Sequence, residues 1–275
     1  MTLLGPHTPG LESGLDIYRY DCSINGARSL KLLSSQLAKT IVLDNLSLHP
    51  RIPMHKNKYK KLVFLENIVK QPNYKTQRVW TEHQEMQVDF LHSRGFCSSS
   101  NVLDIGCGAL RLGVKLIPEL DTGWYFGQDI NIQVLELGRK VLEDYGVDSS
   151  RFTLMDSDAF DLSLVDRNID IAFSNSVFSH LDLNSIFICL RSVREKIKPT
   201  GVYYSTFFKV ANEEWTSPHP RNKWGREFKT YPNRDPYHYP EALLSLLAKE
   251  AGFEMSLAED YGHPTQTMAC FRPIV

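Results

Sequence analysis

Asn101-Val-Leu-Asp-Ile-Gly-Cys-Gly-Ala-Leu-Arg111 decides the reading of this chain. Val102, Leu103 and Ile105 form a short β-prone run that ends in two glycines, Gly106 and Gly108, one residue apart. An apolar-periodic segment follows, carrying Leu110, Val114, Leu116 and Ile117. A strand that passes through a glycine-rich turn into a helix is how an open α/β sheet brings a ligand against backbone N–H groups. A second strand, Trp124-Tyr-Phe-Gly-Gln-Asp129, ends in a carboxylate 25 residues after Asp104 and runs on into Ile130. An acid roughly 20 residues beyond such a turn is placed to grip a ribose diol.

Two nucleoside ligands compete for this turn. A dinucleotide needs G-x-G-x-x-G so that its pyrophosphate can settle on a helix N-terminus. Here the run is Gly106-Cys-Gly108-Ala-Leu-Arg111, with a bulky cation in place of the third glycine. Asp104 also sits two residues before the first glycine, where a carboxylate repels pyrophosphate and suits a ligand with a cationic end. S-adenosylmethionine has a ribose, an ammonium and a sulfonium, and no phosphate. The chemistry favours it over NAD.

Residues 101–130 resemble motif I and the following acidic strand of the class I S-adenosylmethionine-dependent methyltransferases, and the resemblance runs on to about residue 272. It implies a Rossmann-like, doubly wound α/β fold, with a mostly parallel seven-stranded sheet closed by a C-terminal antiparallel hairpin. It also implies S-adenosyl-L-methionine as cofactor, and an enzyme of the small-molecule-type subgroup. Asp158-Ala159, after Phe152-Thr-Leu-Met155, matches the family's acid that meets the adenine amino group. Ile169-Asp-Ile-Ala-Phe-Ser-Asn175 matches the fourth strand, beside the methyl donor. The implied cofactor-binding residues are therefore Asp104, Gly106, Gly108, Asp129, Ile130, Asp158, Ala159 and Asn175. Each has a plainer reading as well. Asp104 could be a buried acid capping the turn, and Asp158, between Asp156 and Asp161, a turn aspartate. Asp129 could cap the next helix, a role that Asn131 fills as well.

Bulk properties narrow the class. At 275 residues the chain suits one large domain, or a domain plus an extension. A protein of this size buries roughly 75% of its unfolded surface and needs no staples. A net charge of −1 gives no global attraction to nucleic acid or anionic membrane. Cys22, Cys97, Cys107, Cys189 and Cys270 show no C-x-x-C spacing, so they read as reduced thiols without zinc. There is no signal-like N-terminus and no apolar run of 18 residues, so the expectation is a cytoplasmic protein with no membrane partner and no metal.

Two segments are expected: an N-terminal extension over 1–75, partly helical, and a methyltransferase domain over 76–275. In the extension Ile24, Ala27, Leu30, Leu33, Leu37 and Ile41 form an apolar stripe at helical spacing. Residues 51–61, with five formal positive charges and Tyr59, read as a solvated loop or as a patch for an anionic substrate. In the domain, strand and helix patterns alternate as βαβ units do. Glu82–Leu91 reads as a helix, and the segment after strand two stops at Gly146. A Pro199–Gly201 stop precedes strand five, Val202–Phe208. Residues 242–251 read as the last helix, and Phe253–Leu257 with Thr267–Arg272 as the closing hairpin.

Methyl transfer is an in-line displacement, so the protein must align the acceptor and exclude water. A hydroxyl acceptor also needs a base. His180, in Ser176-Val-Phe-Ser-His-Leu181, lies just past strand four and follows a pattern frequent in the family; Asp182 is near enough in sequence to orient it. An insert, 209–239, reads as a substrate lid. It carries Trp215, Trp224 and Tyr231, and runs into Asp235-Pro-Tyr-His-Tyr-Pro240. His238 is its candidate base, Tyr237 and Tyr239 candidate acceptor-positioning groups, and Trp215 part of an aromatic wall. His263, in the last hairpin turn, is a further candidate.

The leading expectation is methyl transfer to an oxygen or nitrogen of a small-molecule acceptor, with nucleic acid disfavoured. Methylation of RNA or protein is the alternative. Asn175-Ser-Val-Phe178 lacks the two prolines of an N/D-P-P-Y/F tetrad, which disfavours amino methylation of a base or glutamine. A non-catalytic S-adenosylmethionine-binding module is the third reading.

Overall fold

The computed structural model describes residues 74–147, 151–223 and 226–275. The apolar stripe of residues 24–41, the basic stretch 51–61 and Trp224 lie outside the described residues. A 3-10 turn, Tyr74–Thr76, leads into α1 (Arg78–Ser93), longer at both ends than the sequence suggests. Then come β1 (Asn101–Ile105), the short α2 (Gly113–Leu116), β2 (Trp124–Asp129), α3 (Ile132–Asp144), β3 (Phe152–Asp156) and β4 (Ile169–Ser174). The C-terminal half holds α4 (Leu183–Lys196), β5 (Ile197–Phe207), β6 (Lys209–Val210), β7 (His219–Lys223), β8 (Arg226–Thr230) and β9 (Tyr239–Pro240). It ends with α5 (Glu241–Glu250), β10 (Phe253–Ala258) and β11 (Thr267–Pro273).

Seven strands make one sheet in the order β10-β11-β5-β4-β1-β2-β3. The pairs β1–β2, β1–β4, β2–β3 and β4–β5 are parallel, whereas β11 runs antiparallel to both β5 and β10. This is the expected Rossmann-like, doubly wound α/β fold. After β3 the chain returns across the sheet to β4, on the other side of β1. The C-terminal ends of β1 and β4 therefore bracket the crevice where such sheets bind ligands.

Strand alternation sorts side chains onto two cores. Val102 and Tyr125 join the core built with α1 and α3 from Trp80, Phe90, Leu91 and Leu135. Leu103, Ile105 and Phe126 join the opposite one, with Ile186, Leu190 and Val193 of α4 and Leu244 of α5. Both faces of the central strands are covered, which is why they read as apolar runs.

Three features differ from the sequence expectations. The glycine turn leads into a helix of only four residues followed by a 3-10 turn at Ile117–Glu119: Leu110, at φ +58°, keeps the helix from starting before Gly113, and Pro118, with no N–H to donate, closes it. Strand β5 begins at Ile197, straight from α4, and runs through the expected Pro199–Gly201 stop; Ile197 pairs with Ile169 before the register shifts. A proline is tolerated at that strand start, where no ladder N–H is demanded of it. Within the insert, β7 and β8 pair as an antiparallel hairpin that its polar, proline-containing sequence does not announce.

Candidate active site

The β1–β2 edge is built around one carboxylate. Past β1 the backbone turns with Gly106 at φ +69° and Gly108 at φ +56°, conformations open to glycine at little cost. A methyl group on Gly106 would overlap the Val177 side chain, so that glycine is also a place of close approach. Gly106 and Cys107 both donate their N–H to the Gln128 carbonyl, at 2.7 and 3.0 Å, which ties the bend to the end of β2. Asp129 then accepts from Gly108 N–H (3.0 Å) through Oδ2 and from Asn131 N–H (2.9 Å) through Oδ1. Each carboxylate oxygen keeps further acceptor capacity. The helix cap is Asn131, whose side chain accepts from Gln133 and Val134 N–H. Burial pushes the Asp129 carboxyl above the usual range, against the pull of these backbone donors. Ile130, beside it, is half-buried.

Asp104 lies beneath the bend, 4% exposed, and accepts from the Tyr125 hydroxyl at 2.5 Å. Burial pushes its carboxyl up to about 7, with the Tyr125 hydrogen bond and the nearby Arg111 guanidinium opposing. Arg111, in the place of a third glycine, turns inward. Its Nη1 reaches the Val79 carbonyl at 3.4 Å, while its buried Nε has no partner among the described residues. Burial draws this guanidinium down to about 10, with Tyr261 and Asp104 pulling the other way. Sequence reasoning treats Arg111 only as a departure from a motif.

Past β3 the Ser157 hydroxyl accepts from Ala159 and Asp161 N–H and shapes the turn. The turn leaves Asp158 half-buried and Ala159 exposed, next to the end of β2, whose Gln128 donates to the Ser157 carbonyl at 2.6 Å. Past β4, Asn175 accepts from the Tyr261 hydroxyl (2.7 Å), and Ser176, at φ +61°, accepts from Gln266 Nε2 (2.9 Å). Asp104, Asp129, Asp158 and Asn175 thus stand past or at the C-terminal ends of four neighbouring parallel strands.

On the acceptor side the insert folds back onto the segment after β4. Tyr237 N–H donates to the Ser179 carbonyl (2.7 Å), Tyr231 N–H to the Pro236 carbonyl (2.8 Å) and Tyr239 N–H to the Phe208 carbonyl (2.9 Å). This lacing sets Asp235 Oδ1 2.6 Å from His180 Nδ1. The side chains of the pair are 17% and 34% exposed, so it is neither sealed nor fully solvated. Asp182, the expected partner of His180, instead caps α4 by accepting from Ser185 N–H (2.8 Å).

Other expected acceptor residues part company here. His238 is fully buried: its Nε2 donates to the Trp215 carbonyl (2.9 Å), and Nδ1 lies 2.8 Å from the Thr230 hydroxyl. Burial lowers its pKa, and with both ring nitrogens engaged it pins the insert and is not placed as a base. Tyr239 is 1% exposed, with its hydroxyl on the Leu181 carbonyl (2.6 Å), so it belongs to the core and cannot position an acceptor. Tyr237 stacks on it, ring centroids 6.1 Å apart, and stays half-buried. Trp215 is half-buried and meets His238 through its backbone. His263 accepts from Thr265 and Gln266 N–H at Nδ1, which shapes the β10–β11 turn, and its ring stacks on Tyr261.

Solved structures share this architecture at low identity. Magnesium protoporphyrin IX methyltransferase from Synechocystis, with bound S-adenosylhomocysteine, aligns with a TM-score of 0.53 and 15% identity, over 76% of this chain and 92% of that one. An S-adenosylmethionine-dependent methyltransferase from Clostridium acetobutylicum gives 0.54 and 10%, over 76% and 97%. The CcbJ methyltransferase from Streptomyces caelestis gives 0.52 and 15%, over 70% and 90%. At such identities the likeness is one of fold. No curated protein matches the chain. The family model described as a methyltransferase domain matches residues 97–239, a span that holds the glycine bend, Asp129, the strand ends and the His180–Asp235 pair. Because that span is more than half of the 275 residues, the chain belongs to the methyltransferase domain family.

Proposed function

We propose that this protein transfers a methyl group from S-adenosyl-L-methionine to an oxygen or nitrogen of a small-molecule acceptor. The observation that carries this reading is the Asp129 carboxylate, tied to the Gly108 amide at the edge of β1 and β2. A carboxylate there meets a ribose diol, and the bend beside it carries Arg111 where a dinucleotide turn has its third glycine. The site also fits the amino-acid end of the ligand: Asp104 supplies a buried carboxylate for the ammonium, and the orphaned Nε of Arg111 suits the carboxylate. Asp158 and Ala159 take the adenine edge, and Asn175 the methionine end.

When bound, the cofactor supplies a methyl carbon on a cationic sulfur, an excellent leaving group. The chain's own residues align the acceptor, exclude water and move one proton. The Asp235 carboxylate on Nδ1 keeps the His180 proton on that nitrogen, so Nε2 is the basic one. His180 Nε2 would then take the proton of the acceptor as it is methylated. No helix among the described residues is long and apolar enough to cross a membrane.

Calorimetric titration with S-adenosylhomocysteine, with NAD as comparison, tests the ligand. Asp129→Ala should weaken S-adenosylhomocysteine at least tenfold, from about 1.5–3 kcal/mol for a charge-assisted hydrogen bond. An unchanged Kd would remove Asp129 from the site, and tighter NAD binding would replace the cofactor.

A further inference from the structure

A cavity of about 410 Å³ opens between the β7 strand of the insert and the turn that joins β10 to β11. Its wall includes Arg221, Asn222, His263, Thr265 and Gln266. Among the described residues that line it, Arg221 carries the one formal charge, and no carboxylate faces it. The guanidinium lies over the Phe208 ring, 5.4 Å from its centroid, with Nη2 on the Lys209 carbonyl (2.6 Å) and Nε closed from water without a partner among the described residues. Glu214, an exposed side chain outside the wall, is the acid that acts on it electrostatically, and burial lowers the guanidinium pKa. Opposite, Thr265 Oγ1 and Gln266 Oε1 are also buried without hydrogen-bond partners among the described residues. Gln266 is oriented by its own Nε2, which donates to Ser176 Oγ two residues past the end of β4.

Side chains as close as Arg221, Thr265 and Gln266, each with a polar atom unmet among the described residues, are uncommon in a folded protein, because an unmet buried donor or acceptor is destabilising. They differ in kind. Arg221 offers a positive N–H, Gln266 a carbonyl oxygen that can only accept, and Thr265 a hydroxyl that does either. Each atom is closed to water, so these half-buried side chains must turn to meet a ligand, and one complementary to all three has an anionic group at one end and an O–H or N–H at the other. The Gln266–Ser176 bond places that second end towards β4, the strand beside which the methyl donor is read to lie.

We propose that this cavity is the acceptor-recognition site and that the acceptor is a small hydroxylated carboxylate, its acid group held by Arg221 and a hydroxyl held by Gln266 and Thr265. This deepens the methyl-transfer reading and rests on it. The test uses the full chain saturated with S-adenosylhomocysteine, titrated by calorimetry with 3,4-dihydroxybenzoate and with its neutral amide. The acid should bind at least tenfold more tightly than the amide. Arg221→Gln should abolish that preference, while Thr265→Val should weaken both probes and leave the preference intact. S-adenosylhomocysteine should bind all three proteins alike. Equal binding of acid and amide to the unaltered protein, no binding of either at 10 mM, or a preference that survives Arg221→Gln would overturn the proposal. Should Arg221→Gln fail to fold, the acid–amide comparison and Thr265→Val still decide it. Failure of S-adenosylhomocysteine itself to bind would overturn the cofactor reading instead, so the two failures are distinct.

Discussion

Asp104 links burial to ligand charge. Its carboxyl is held up at about 7, from an ordinary 3.8, chiefly by desolvation. The folded chain therefore holds this proton more tightly than the unfolded one. The stability it contributes is full below about pH 4 and is lost as the pH rises through about 7. A ligand ammonium favours the ionised form, so binding should expel the proton. The Kd for S-adenosylhomocysteine should fall up to about tenfold between pH 6 and pH 8, with proton release visible as buffer-dependent calorimetric heats. Asp104→Asn should flatten that slope; a slope that persists would place the titrating group elsewhere. Leu110 makes a second residue-scale case. It is fully buried at φ +58°, a conformation that costs about 1–2 kcal/mol for a side chain of its kind, and Gly138 of α3 makes room for it. A methyl on Gly138 would stand 2.8 Å from Leu110 Cγ. Gly138→Ala should thus destabilise by about 1–3 kcal/mol despite its better helix propensity, and Leu110→Gly should suppress that penalty in a double-mutant cycle read by urea unfolding. The sequence marks only the neighbouring departure, Arg111 in place of a third glycine. It does not show that a glycine on another helix makes room for Leu110, because the two positions meet only in the fold.

At the scale of elements, the insert acts through the loop after β4. His180 and Asp235 stand 55 residues apart, and no spacing rule joins them. What joins them is the backbone lacing of Tyr237 and Tyr239 onto Ser179 and Phe208, with the Tyr239 hydroxyl on the Leu181 carbonyl. The parallel strands were legible because both their faces are apolar, and α3 because its cap, stripe and terminal Gly146 agree. The site's second half was legible only as a list of suspects, since in the sequence a half-buried candidate base and a buried pin are both simply histidines. Burial separates them. Asp235→Ala should cut turnover about ten- to a hundredfold with S-adenosylhomocysteine affinity intact, and His180→Ala combined with it should add little further loss, as expected for groups acting together. His238→Gln should instead lower stability by about 1–3 kcal/mol through its two lost hydrogen bonds and leave the pH dependence of turnover in place. Loss of the pH dependence in that variant, with the fold intact, would return His238 to the chemistry.

For the molecule as a whole, the sheet order is what gathers the site. Chain order runs outward from β1 to β3, then crosses back to β4 and outward again to β5, so residues 104, 129, 158 and 175 converge although they span much of the domain. A ligand that spans these ends touches two halves of the sheet with separate helical layers, α1 to α3 on one face and α4 and α5 on the other. It should therefore stabilise the whole domain cooperatively, and not one loop. At 100 times its Kd, S-adenosylhomocysteine should add about 2.7 kcal/mol to the free energy of unfolding. For a domain of this size each kcal/mol moves Tm by about 2–4 °C, giving a rise of roughly 5–10 °C in a single transition. Asp129→Ala at the same ligand concentration should lose about half of that rise, because the added free energy scales with the logarithm of ligand concentration over Kd and a tenfold weaker Kd removes about 1.4 kcal/mol. NAD at equal concentration should give no rise, since Asp104 beneath the bend disfavours its pyrophosphate and Arg111 stands in place of the third glycine that a dinucleotide turn needs. A shift confined to one of two separable transitions would mean that the ligand holds only one half of the sheet, and that β4 contributes nothing to its grip.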